Sequence, residues 1–231
     1  MAEAIKITNL KRKTNEISLD IPQLQIPGGC ITAITGKSGA GKTLLLKTLA
    51  GISLGYEGEI TFFDQYTDME RENKSCPLRD QVGYVELSHY FPVNWTYQQV
   101  GEASEMLFRT FKRNRFDKLC DELQVTKDTR TFFAKKLADY SDGDRVKIAF
   151  SAVLARDTRL LLLDEPMAHF DSGMRQVLRA LLKDYIKEGN GQNSVIYTAG
   201  YLTDMEEITD YEILLEQGKV VKNGYLKDME N

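Results

Sequence analysis

Gly36-Lys37-Ser38-Gly39-Ala40-Gly41-Lys42-Thr43 fits the phosphate-loop pattern G-x-x-x-x-G-K-S/T at every fixed position. Before it, Cys30-Ile31-Thr32-Ala33-Ile34-Thr35 reads as a buried strand; after it, Leu44-Leu45-Leu46-Lys47-Thr48-Leu49 reads as a helix stopping at Gly51. That strand–loop–helix context gives the match a mechanism. The glycines let successive backbone N–H groups converge on phosphate oxygens, and the helix directs its positive end at them. Lys42 is placed to reach the β- and γ-phosphates of a nucleoside triphosphate, and Thr43 to offer its hydroxyl to Mg²⁺.

The rest of the composition fits a folded protein of ordinary type. At 231 residues the chain suits one large domain, or a core with an inserted lobe. A net charge of −4 argues against nucleic acid as a direct partner, and the basic runs at 11–13 and 109–118 read as solvated faces. No stretch approaches ~18 consecutive apolar residues, so a membrane span is not expected. The start of the chain lacks a basic-then-apolar leader. Cys30, Cys76 and Cys120 are widely spaced and odd in number, which points to a reducing compartment, the cytosol, and to no disulfide or metal framework.

Along the chain, residues 5–10, 16–21 and 30–35 read as strands punctuated by Pro22 and Pro27-Gly28-Gly29. Residues 58–63 and 81–85 are further strands, with 64–80 a polar connection. From 96 to 136 the pattern turns helical and charged. Residues 160–163 are a continuous apolar run, 174–187 a helix, 194–198 a strand, and 213–215 with 219–221 a terminal pair. The alternation predicts an α/β fold: a P-loop NTPase core with a mainly parallel sheet, an N-terminal antiparallel β region and an inserted helical subdomain. The expected organisation is a single domain over residues 1–231, its core at about 1–87 and 141–231 and its helical subdomain at about 88–140.

Leu160-Leu161-Leu162-Leu163-Asp164-Glu165-Pro166 ends the buried strand in two carboxylates. Ligands of open parallel sheets lie beyond the carboxyl ends of strands, so Asp164 is a candidate Mg²⁺ residue. Glu165 is a candidate general base for an attacking water.

These markers, with Tyr140-Ser141-Asp142-Gly143-Asp144 and Asp171 in order between and after them, resemble the nucleotide-binding subunit of ABC transporters over about residues 5–225. Within that family the chain looks most like bacterial ABC-2-type exporters, partly through Phe91-Pro92-Val93-Asn94-Trp95-Thr96. The resemblance implies an ATPase that powers transport, with ATP and Mg²⁺ at the site. It places Gly36 through Thr43 in the phosphate loop, Asp164 at the metal and Glu165 in the catalytic position. Ser141 and Gly143 fall in the LSGGQ signature, which in the family contacts ATP held by the opposite subunit, and Asp171 falls in the D-loop at the dimer interface. It further implies a second such subunit, identical or not, integral membrane transporter subunits, and a place at the inner face of the cell membrane.

The chain departs from this family where hydrolysis is sensed. The usual glutamine falls on Leu87, with Glu86, Ser88 and His89 as neighbours and none a convincing replacement. The switch histidine falls on Gly200, and residues 11–15 hold no aromatic ring for adenine, only Arg12 as a possible platform. His169 reads as a D-loop surface residue. In the signature, Asp142 and Asp144 either oppose a docking γ-phosphate, by about 2–3 kcal/mol each at ~6 Å, or favour the helix N-terminus that follows. The losses leave two alternatives to a transport motor: a slow or non-hydrolysing ATP-dependent regulatory subunit, and a soluble ABC ATPase not coupled to transport.

Overall fold

The computed structural model describes residues 3–67, 78–86, 90–125, 134–168, 170–202 and 205–229. Cys76, Leu87, Ser88, His89 and His169 lie outside the described residues, and with them the expectations attached to those positions.

Two sheets organise the chain. β1 (Glu3–Lys13), β2 (Ser18–Pro27), β4 (Glu57–Phe62) and β5 (Tyr66–Thr67) form an antiparallel sheet in the order β2-β1-β4-β5. β3 (Ile31–Thr35), β6 (Val82–Val85), β7 (Leu160–Leu163), β8 (Ser194–Ala199), β9 (Tyr211–Glu216) and β10 (Lys219–Tyr225) form a mixed sheet in the order β10-β9-β3-β8-β7-β6. Every pairing in it is parallel except β9 with β10, so the mainly parallel sheet expected of the core is present.

The run of four leucines in β7 shows why this sheet is central. Side chains alternate across a strand: Leu161 and Leu163 join one hydrophobic cluster, Leu160 and Leu162 the other. β8 divides in the same way, Val195 and Tyr197 to one face and Ile196 to the other. One face is covered by α1 (Lys42–Leu49), through Leu45, Leu46 and Leu49, together with the antiparallel sheet. The opposite face carries α5 (Asp142–Leu154) and α6 (Ser172–Glu188), the latter burying Met174, Leu178, Leu182 and Tyr185. α3 (Tyr97–Leu107) and α4 (Arg113–Glu122) pack against α5 and share its cluster through Tyr97, Val100, Phe116 and Leu119.

Several boundaries differ from the sequence expectation for identifiable reasons. Pro22 does not punctuate a strand end; it sits inside β2, at the free edge of its sheet, where a missing N–H breaks no ladder. The second strand begins at Ser18 rather than 16 because Thr14 closes a turn, its backbone N–H donating to the Ile17 carbonyl at 2.9 Å. The stretch 96–136 is not continuously helical. α3 ends at Leu107, and Lys112 ties the break to α5 by donating to the Ala155 carbonyl at 2.9 Å. The connection 64–80 contains β5 and, at its end, the short α2 (Leu78–Gln81); a last helical turn, α7 (Leu226–Met229), follows β10. Among the described residues, no helix is long and apolar enough to cross a membrane.

Candidate functional site

The phosphate loop occupies the carboxyl end of β3, and its backbone geometry is the one its glycines allow. Gly36, Gly39 and Gly41 have φ of 148°, 80° and 101°, which side-chain-bearing residues rarely adopt. A Cβ on Gly36 would also lie 2.2 Å from the Leu215 carbonyl oxygen of β9, so only glycine fits against that strand. Lys37, Ser38, Gly39 and Thr43 are exposed along the crest, whereas Ala40, Gly41 and Lys42 are buried. The loop is pinned from the far side by the β9–β10 turn, where the Gly218 N–H donates to the Ala40 carbonyl at 2.9 Å.

α1 starts differently from three other helices. α3, α5 and α6 are each capped by a side chain, from Thr96, Ser141 and Asp171. α1 is entered through Gly41 with no side-chain cap. Its first-turn N–H groups therefore stay available to an outside acceptor, at the positive end of the helix. The Lys42 ammonium lies over the same loop, donating to the Gly36 carbonyl at 2.7 Å and the Lys37 carbonyl at 3.2 Å. An ammonium carries three protons, so a further acceptor can be served.

Asp164 meets the loop directly. The Thr43 hydroxyl donates to Asp164 Oδ1 at 3.1 Å, linking the start of α1 to the end of β7. A second hydroxyl, that of Thr198 in β8, donates to the same oxygen at 2.6 Å and accepts from the Glu165 backbone N–H at 2.9 Å. Glu165 is exposed and stands at φ 47°, in the left-handed region. The hydroxyl of Thr43 and the carboxylate of Asp164 are hard oxygen donors of the kind Mg²⁺ takes, and they are adjacent beside the loop. Among the described residues, no three carboxylate, thiol or imidazole groups converge on one point.

Lys42, Thr43, Asp164 and Glu165 are thus brought together around the ends of β3 and β7. Gly200 is beside them. It lines a cleft of about 360 Å³ shared with Glu165 and Thr198, and another of about 270 Å³ shared with Gly36 and Lys37. A Cβ built on Gly200 has nothing within 4 Å. Glu86 is committed elsewhere: it pairs with Lys47 of α1 at 2.7 Å and accepts from the Tyr84 hydroxyl at 2.9 Å. Burial and this carboxylate together push the Tyr84 phenol far above its ordinary range. Arg12 also has a local role, donating to the Gly55 carbonyl.

Ser141, Gly143 and Asp171 are not drawn into this cluster by any hydrogen bond or ion pair among the described residues; they belong to helix starts. Asp171 Oδ1 accepts from the Met174 N–H at 2.8 Å. The Ser141 hydroxyl accepts from the Asp144 N–H at 3.1 Å and donates to Asp144 Oδ2 at 2.9 Å. The two acids of this segment are each paired, Asp142 with Arg145 and Asp144 with Lys147 at 3.0 Å. Their charges are locally balanced, which favours the helix-start reading over a bare repulsive patch.

Thr198 joins the site although the sequence around it marks only a strand. Its signal is a hydroxyl in an apolar run, Val195-Ile196-Tyr197-Thr198-Ala199, at a fully buried position.

Residues 19–168 match the family model described as ABC transporter. The molybdenum import ATP-binding protein ModC of Shewanella sp. (strain MR-4) is 26% identical over 229 residues, covering 96% of this chain and 59% of that protein. The sulfate/thiosulfate import ATP-binding protein CysA 2 of Agrobacterium fabrum is 29% identical, covering 99% of this chain and 64% of that protein. The chain therefore spans less than two thirds of the length of these two relatives. The dimeric structure of a bacterial ABC transporter cassette superposes with a TM-score of 0.78 at 21% identity, covering 96% of this chain and 98% of that one. The export direction expected from the resemblance, partly through residues 91–96, finds no support in these relatives, whose names speak of import.

Proposed function

The chain belongs to the ABC transporter family, and from that premise we propose that it is an ATP-binding and ATP-hydrolysing subunit powering transport through integral membrane partners. The observation that carries this reading is the Thr43–Asp164 contact at 3.1 Å, which joins an uncapped phosphate loop to an acidic pair. In this reading the N–H groups of residues 36–43 and the Lys42 ammonium bind the triphosphate. Thr43 and Asp164 hold Mg²⁺, which neutralises phosphate charge when bound. Glu165 takes the proton of the attacking water. Ser141 and Gly143 present a helix start to the nucleotide of a second subunit, with Asp171 at the interface between them. The dimeric assembly of the superposing cassette supports that arrangement. Membrane partners place the subunit at the inner face of the membrane and read the cargo. The export direction is not retained, since the names of the relatives give it no support.

The test is steady-state ATPase activity with and without the membrane partner. Glu165→Gln is expected to lower turnover by about 10²–10⁴-fold while nucleotide binding persists. Lys42→Ala is expected to weaken binding of ATP itself. Unchanged turnover in Glu165→Gln would remove the general-base role, and unchanged binding in Lys42→Ala would remove the site.

A slow or non-hydrolysing regulatory subunit is the second reading, favoured by Leu87 and Gly200 standing where the resemblance expects a glutamine and a histidine. Wild-type turnover at background level with ATP bound, even with the membrane partner present, would select it.

A further inference from the structure

β7 and β8 run parallel with Leu163 beside Tyr197, so the next residues along, Asp164 and Thr198, lie side by side where both strands end. A β-branched residue suits that strand position whether or not it carries a hydroxyl. The hydroxyl is therefore not explained by packing. Buried without partners it would destabilise the fold, yet here both of its hydrogen-bonding functions are used. Its proton goes to Asp164 Oδ1 at 2.6 Å, and its oxygen receives the Glu165 N–H at 2.9 Å. With the Thr43 hydroxyl on the same Oδ1 at 3.1 Å, the carboxylate is gripped from α1 and from β8 at once. Oδ2 is left without a hydrogen-bond partner among the described residues. The bond to the Glu165 N–H also anchors that residue in a left-handed conformation, φ 47°, that a non-glycine residue adopts at a cost.

We infer that Thr198 is a positioning residue of the acidic pair: its hydroxyl fixes the Asp164 carboxylate in the orientation that receives the divalent cation and holds the Glu165 backbone in place. The inference rests on the roles of Asp164 and Glu165 given above. Two residues further on, Gly200 offers no side chain. The tie from β8 to the acidic pair is made by the two hydrogen bonds of Thr198.

The experiment compares wild type, Thr198→Val and Thr198→Ser. Mn²⁺ affinity is read by electron paramagnetic resonance in the complex with a non-hydrolysable ATP analogue. Analogue affinity in excess chelator, kcat and KM for ATP, and the melting temperature are read alongside. Thr198→Val is expected to lower Mn²⁺ affinity and kcat by about tenfold, as for loss of a charge-assisted hydrogen bond. Metal-free analogue affinity should stay within about twofold of wild type, because the phosphate loop is untouched. Thr198→Ser should restore both losses. Mn²⁺ affinity unchanged in Thr198→Val would overturn the inference, as would a Thr198→Ser variant as impaired as Thr198→Val, since the hydroxyl would then be present without restoring either quantity. Should Thr198→Val fail to fold, Thr198→Cys keeps the volume with a weaker donor and is read by the same criteria. A wild type that binds no analogue would instead sink the proposed function.

Discussion

At Ser141 a single hydroxyl has two claims on it. As a helix cap it needs only to accept from the Asp144 N–H, but it also gives its proton to Asp144 Oδ2. A hydroxyl has one proton, so a phosphate docking at this helix start must compete with Asp144 for it. Asp144→Ala removes the competitor and keeps the backbone cap. Its expected effect is ATP-dependent self-association at about five- to tenfold lower protein concentration, read by sedimentation in the Glu165→Gln background. Stability should change by less than about 1 kcal/mol, since the lost Lys147 pair is a partly exposed i,i+3 contact. Self-association that does not move would mean that Asp144 does not compete with a phosphate for the Ser141 proton. The charges of Asp142 and Asp144 were legible in the sequence, but their neutralisation by Arg145 and Lys147 was not. Those bases lie three residues on, and whether they turn inward depends on how the helix starts.

The phosphate loop depends on a turn nearly 180 residues later in the chain. Gly218, between β9 and β10, donates to Ala40 at 2.9 Å and accepts from the Asp20 N–H at 2.9 Å, so one residue joins the loop, β2 and the mixed sheet. Its φ is 76°, and a Cβ there would lie 1.7 Å from the Ser18 carbonyl oxygen. Gly218→Ala must push the turn away from β2 and release the loop. A loss of about 2 kcal/mol or more in urea unfolding is expected, as for strain at a special φ combined with a clash. ATP-analogue binding, measured by titration calorimetry, should weaken in parallel. Wild-type affinity in a destabilised Gly218→Ala would show that the loop holds its shape without the turn. Strand periodicity located β9 and β10 in the sequence, but nothing local to Gln217-Gly218 indicates that the turn braces a loop elsewhere.

Two buried thiols make the whole fold sensitive to alkali. Burial pushes Cys30, at the entry to β3, up to about 11 and Cys120, in α4, up to about 12, from an ordinary value of 9.0. The unfolded chain therefore gives up these protons at lower pH than the folded one. Stability is retained in full below about pH 9 and falls as pH rises toward the folded values, by about 1.4 kcal/mol per pH unit for each thiol. Urea midpoints measured from about pH 7.5 to about pH 10 should show this decline, and Cys120→Ala should make it shallower. A flat profile would mean that the thiols are not shielded in the folded state.

The residues of the loop and the acidic run were readable from the chain alone because their chemistry is local. A glycine-rich stretch between a strand-like and a helix-like run marks a phosphate loop by residue type alone, and four successive leucines before Asp164 suit a strand buried on both faces. The residue types at Leu87 and Gly200 are likewise visible without coordinates. Thr198 and Gly218 were beyond that reading. Their partners, Asp164 with Glu165 and Ala40, lie 33 or more positions away. They become neighbours only when parallel pairing aligns β7 with β8 and the β9–β10 turn folds back beneath the loop. Hydrogen bonds reach about 3 Å, so sequence order decides which groups are available and the packing of the sheets decides which of them touch.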